Sequence, residues 1–216
     1  MVAALALVLM SADLSLEARV MAGPARAFRE IASEPGGSGP WIALRRPLFL
    51  ALVLGCVVSL ATSGVLTLRL VGPATLYWAF VPLVEVLALA AVTWRRRGGL
   101  FSPRLVDVFF VGHGPWTLYL LALAAMVVFL PPQRAWEMLT TWGVAGLALV
   151  VAWSVYIDFC FFRHLCRASR GAASRTLVLH RLLTWLVVIA IVAVPGMKPW
   201  GVVLEMTEAV KELLWQ

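Results

Sequence analysis

Residues 48–68 read LFLALVLGCVVSLATSGVLTL, twenty-one positions without a charge. At 1.5 Å per residue, a helix of that length covers the roughly 30 Å hydrocarbon core of a bilayer. Working outward, Trp41, Arg45 and Arg46 precede it in the manner of interface anchors. Arg69 and Gly72-Pro73 follow and predict a tight turn. A second apolar run covers 75–94 and stops at Arg95, Arg96 and Arg97. A third lies within 105–130, interrupted by Gly112-His113-Gly114-Pro115. That interruption leaves two readings: a bent helix from near Leu105, or a short surface helix before a span starting at Pro115. After a short loop at 133–140, a fourth run covers 141–162. A basic stretch, 163–175, leads to a fifth at 177–194, closed by Pro195-Gly196.

The composition agrees with that pattern. Of 216 residues, 62% are hydrophobic and only 13% charged, with a mean hydropathy of +0.92. A soluble domain averages roughly 45–50% apolar and about 25% charged, so both soluble and disordered classes are excluded. Three cysteines are too few for a disulfide scaffold. The expected fold is all-α, a polytopic integral membrane protein of five transmembrane helices with short loops and amphipathic helices at both ends. Its parts are an N-terminal cytoplasmic segment (1–40), a five-helix membrane domain (41–195) and a C-terminal amphipathic helix on the outer side (196–216).

Charge sets the expected orientation. With the N-terminus inside, fourteen basic residues face the cytoplasm and four (Arg69, Arg134, Lys198, Lys211) face outward. Inversion reverses that bias, so the N-terminus is expected inside and the C-terminus outside. The net charge of +7 is thus topological and does not point to nucleic acid. Basic loops instead suit anionic lipids, with Arg95, Arg96 and Arg97 as candidate contacts.

The ends are less regular. Residues 1–10 are apolar but half the length of a crossing, and no basic residue precedes Arg19 as a signal peptide requires. Either they form a short surface segment, or the chain starts at Met21, just before Pro24. Phe28 and Ile31 share a face flanked by Arg26, Arg29 and Glu30, the pattern of a short helix on the cytoplasmic membrane surface. In the tail, Glu205, Glu208 and Glu212 oppose Val203, Met206, Val210 and Leu213, giving an acidic amphipathic helix that offers a partner surface.

Charged groups at membrane depth are costly, about 2.5–3.5 kcal/mol at a helix centre on insertion scales, and mark the candidate sites. Glu85 lies in the second run after Pro82 and reads either as a proton or cation site or as a neutral carboxyl gluing helices. Asp107, three residues past Arg104, suits capping or an ion pair. His113 sits between two glycines at the helix break. Asp158, with Cys160, His164 and Cys166, makes a denser group, but only Cys160 and His164 share a helical face, so metal binding is not expected. His180-Arg181 reads as an interface anchor, and the tryptophans Trp41, Trp78, Trp94, Trp116, Trp136, Trp142 and Trp200 as an aromatic belt. No phosphate loop, zinc-protease, nucleophile-elbow or haem-attachment motif occurs, so neither an enzyme nor a cofactor is expected.

Two segments carry a resemblance. Phe28-Arg29-Glu30-Ile31-Ala32-Ser33-Glu34-Pro35 before the first span, and Arg104-Leu105-Val106-Asp107 through Val111-Gly112-His113-Gly114-Pro115-Trp116, resemble the bacterial branch of Yip1-type five-span membrane proteins. The resemblance covers about residues 24–194 and implies a membrane scaffold or adaptor. The Asp-Leu-Tyr-Gly-Pro element of eukaryotic members is absent, so their contact with small GTPases carries to no residue here. The expected function is a non-catalytic membrane adaptor or accessory subunit, with other membrane proteins or further copies of itself as partners. The alternative is a small transporter or channel component using Glu85 and His113 in a polar path. The Arg-rich, Lys-poor composition points to a bacterial inner membrane as the setting.

Overall fold

A computed structural model describes residues 14–33, 39–93 and 102–193. The 1–10 segment, Arg95, Arg96 and Arg97, and the tail with Glu205, Glu208 and Glu212 lie outside the described residues. All regular structure among the described residues is helical. In chain order the helices are α1 (Leu14–Ala22), α2 (Pro24–Ser33), α3 (Pro40–Ser63), α4 (Leu68–Trp78), α5 (Phe80–Thr93), α6 (Pro103–Val111), α7 (Gly114–Phe129), α8 (Pro132–Met138), α9 (Val144–Cys160) and α10 (Arg170–Ala193). Two π-helical turns, Leu139–Gly143 and Phe161–Leu165, flank α9. Among the described residues, four helices are long and apolar enough to cross a membrane: Pro40–Ser63, Leu68–Thr93, Gln133–Leu165 and Arg170–Ala190. The α6–α7 pair, bent by 49°, makes a fifth if it is one span.

Three boundaries differ from the sequence reading. The first reversal falls at 64–67, not at Gly72-Pro73. Gly64 takes the left-handed conformation (φ 69°) that glycine adopts without strain, and its N–H closes the last turn of α3 on Leu60. The hydroxyls of Ser59 and Ser63 donate to the carbonyl of Val65 and tie off the turn. Pro73 therefore sits inside α4, where it removes one backbone hydrogen bond. The expected loop at 133–140 is helical, because Pro132 opens α8 and the chain runs on through the first π-turn into α9. The basic stretch before the fifth run is also largely helical. Ser169 caps α10, accepting from the Ala172 N–H at 3.3 Å, so Arg170, Arg175 and Arg181 lie on the helix.

The third apolar run settles between its two readings. At the break, Gly112 and His113 donate backward to Phe109 and Phe110, and Pro115 lacks the N–H needed to continue α6. However, α6 is no surface helix. Every residue from Leu105 to Val111 is buried, as expected for a helix apolar nearly all round. It is enclosed by α1 and α3 and borders the groove beside α2.

Elsewhere α3 packs on α4 and α7, α10 on α5, and α9 on α7, α2 and α10. Gly55 permits the closest approach: a Cβ there would stand 2.8 Å from the backbone nitrogen of Thr75. The apolar face of α2, read from sequence as lying on lipid, is instead covered by protein. Phe28 is fully buried and meets Phe161 edge to face at 5.7 Å. Burying such a side chain contributes about 1.5–3 kcal/mol. Val20, from α1, joins the same core.

Candidate functional site

Two groups of ionisable side chains are buried between helices. The first lies where α3 and α6 begin. Asp107 is buried because its whole helix is, and α3 supplies the compensating charge from consecutive arginines. Arg45 grips the Asp107 carboxylate with two hydrogen bonds, Nε to Oδ1 at 2.8 Å and Nη2 to Oδ2 at 3.0 Å. Arg46 approaches Oδ1 at 2.5 Å, with both of those side chains more than nine-tenths buried. Its Nε donates to Glu17 of α1 at 2.9 Å. Two cations and two carboxylates thus join three helices, and the planar guanidinium fork suits the paired geometry. Asp107 forms an ion pair, one of its two expected roles, but with α3 and not with nearby Arg104. Arg104 donates to the Ile31 carbonyl of α2 at 2.5 Å.

The second group lies where α5, α9, α10 and the α6–α7 break meet. Glu85 Oε2 stands 2.9 Å from His113 Nε2, both side chains about nine-tenths buried. His180 contacts the Glu85 carbonyl at 3.4 Å, and Arg181 pairs with Asp158. Aromatic rings seal the group. Phe110 stacks on His113 at 4.7 Å, and Phe109 stands between His113 and His180 at 5.3 and 5.0 Å. Among the described residues, Nδ1 of His113, Nδ1 of His180 and the hydroxyls of Ser154 and Thr184 have no hydrogen-bond partner. The Glu85–His113 contact joins a carboxyl and an imidazole, either of which can carry a proton.

Glu85 thus faces His113, and Asp158, 3% exposed, anchors α9 to α10 through Arg181. Asp107 belongs to the first group, while Glu85, His113 and Asp158 belong to the second. Sequence reasoning misses five participants. Arg45, Arg46, His180 and Arg181 read as interface anchors, although Arg181 falls within an apolar run opposite Asp158, a pairing signal in itself. Glu17 gives no such signal, because α1 is short and not strongly apolar. Cys160 is buried and His164 lies on the second π-turn, and no group of three His, Cys, Asp or Glu among the described residues suits a metal ion.

On the exposed side of α2, outside the long apolar helices, Glu30 accepts from Arg26 at 2.7 Å. The Arg26 hydrogen bond holds the Glu30 carboxyl below its ordinary range.

No protein-family model matches this chain, no curated protein sequence matches it, and no solved structure matches its fold.

Proposed function

We propose that the chain is a non-catalytic integral membrane adaptor or accessory subunit, comparable in layout to Yip1-type proteins. In this reading the apolar helices span a bacterial inner membrane, with the N-terminus cytoplasmic and the C-terminus outside. The observation that carries it is the pairing of the buried charges. Asp107 with Arg45 and Arg46, Asp158 with Arg181, and Glu85 with His113 each join different helices. Charged groups used as cross-links fix the bundle's shape and leave recognition to its ends. The basic loop at Arg95–Arg97 and the acidic tail at Glu205, Glu208 and Glu212 are the partner surfaces proposed from sequence. Extraction in mild detergent tests this: a protein co-migrating at stoichiometric amount supports an adaptor, and its loss on deleting 202–216 or neutralising Arg95–Arg97 locates the interface. Migration as a lone monomer opposes it.

A second reading, a small transporter or channel component, is favoured by one observation: Glu85 and His113 face each other, with unpartnered polar atoms on Ser154, His180 and Thr184 nearby in the bundle. Proton or cation flux in liposomes, abolished by Glu85→Gln in a protein that still folds, decides for it.

A further inference from the structure

We propose that the polar seam between α5, the α6–α7 break, α9 and α10 is a binding site for water inside the bundle, with the Ser154 and Thr184 hydroxyls among its ligands. Contacts between the helices close a ring around it. Glu85 faces His113, Asp158 pairs with Arg181, and His180 touches the Glu85 carbonyl. Gly112 completes the ring, since a Cβ there would stand 3.9 Å from Asp158 Oδ1. Two further polar side chains share its helix faces. Ser154 lies one turn before Asp158 on α9, and Thr184 lies one turn after His180 on α10.

Three observations point to water. First, hydroxyls on the apolar helices elsewhere donate back to their own backbone, as Thr93, Thr117 and Thr176 do to the carbonyls of Leu89, His113 and Ala172. Ser154 and Thr184 make no such bond, although they are only 2% and 7% exposed, and their hydroxyls have no other partner among the described residues. His180, 1% exposed, leaves its Nδ1 unpartnered, as does His113. Buried polar groups left unpaired are costly, so several in one place call for a ligand. Second, two helices begin at prolines beside the ring. Pro82 stands in the first turn of α5, three residues before Glu85, and Pro115 follows His113 by two. Neither supplies the N–H that a continuous helix would give to the carbonyls of Trp78 and Val111. In an apolar bundle, carbonyls freed in this way are met by hydroxyl side chains and ordered water. Third, the mixture of groups selects the ligand. Arg181 Nε only donates, a carboxylate at Glu85 only accepts, and hydroxyls and imidazoles do both. The ligand must therefore both donate and accept, and the Arg181 guanidinium disfavours a metal cation. Water meets both demands and is held inside proteins by about two to four such partners.

The site depends on the burial of these groups and on neither the adaptor nor the transporter reading. Full-length protein in nanodiscs is exposed to an X-ray pulse, which converts water in place to hydroxyl radicals, and side-chain oxidation is mapped by mass spectrometry. Phe110, stacked on His113, should be oxidised several-fold faster than Phe28, which is also buried but lies against Phe161 in the apolar core. Ser154→Ala and Thr184→Val should each lower the folded-to-unfolded ratio in detergent about fivefold, the loss of one hydrogen bond, and should slow the oxidation of Phe110. Thr184→Ser keeps the hydroxyl and should preserve both. A dry seam gives the opposite sign, because removing an unpaired buried hydroxyl stabilises the fold. Oxidation of Phe110 no faster than that of Phe28, or a gain in stability in Ser154→Ala and Thr184→Val, overturns the site. The first comparison is made on the wild type and needs no variant to fold.

Discussion

The two buried groups use opposite electrostatic designs. Around Asp107 the charges are permanent: two guanidiniums, held at neutral pH whatever their surroundings, meet two carboxylates in a fork geometry. Around Glu85 the central contact joins two titratable groups, a carboxyl and an imidazole. The first arrangement tolerates no loss of a partner, because a stranded guanidinium cannot shed its charge. The second tolerates change, because either member can become neutral. Cross-linking by guanidinium charges and cross-linking by titratable groups should therefore respond differently to the same kind of mutation.

The largest effect is expected at Asp107. Asp107→Ala leaves Arg46 buried with one of its two carboxylates gone, and breaking a buried pair costs about 3–5 kcal/mol. A fall of that size in unfolding free energy in detergent, against a wild-type control, is the expected result. A loss below about 1 kcal/mol would mean that the pair is solvated. Asp158→Ala should follow closely, since Arg181 is similarly stranded, though that side chain is more exposed.

Glu85 should be milder. Glu85→Gln keeps a polar group facing His113 and should change stability by less than about 1 kcal/mol. Glu85→Leu leaves a buried imidazole nitrogen unsatisfied and should cost about 1–3 kcal/mol. Equal costs for the two variants would remove the contrast between the groups.

The smallest effect belongs to Glu30 on α2. Its carboxyl is held below the ordinary range by Arg26, so its contribution is present above the unfolded value and disappears as pH falls through the folded one. Glu30→Gln should therefore lower the thermal midpoint slightly near neutral pH, and the difference should shrink as pH falls through the folded-state value. A difference that grows on acidification would reverse the sign of the argument.

The apolar helices were legible because long uncharged runs have few alternative structures. Their ends were less so. Gly72-Pro73 is the stronger turn signal, but the hydroxyls of Ser59 and Ser63 can satisfy a reversal earlier, and only tertiary placement decides between them. The interruption at Gly112-His113-Gly114-Pro115 was visible, whereas the burial of α6 on every side depends on what α1 and α3 do around it. Glu85, Asp107, His113 and Asp158 stood out individually as polar groups in apolar surroundings. Their partners did not, since pairing joins residues as far apart as Arg45 and Asp107. The arginines at helix starts carry one signature for two roles, membrane anchor and internal counter-ion, and only the packing separates them. The α2 face showed the same ambiguity: Phe28 and Ile31 fit a lipid surface as well as the protein core that covers them.

In the proposed reading the buried polar contacts between helices act as cross-links, the Glu85–His113 pair included. A double-mutant cycle with Glu85→Leu, His113→Leu and both changes, read by unfolding in detergent with ion flux measured on the same proteins in liposomes, tests it most directly. The expected result is a coupling of about 1 kcal/mol or more, a double variant that folds better than the sum of its parts, and no flux attributable to the pair. Negligible coupling, together with a wild-type flux that disappears in both single variants, would contradict it and make the pair a conduction site.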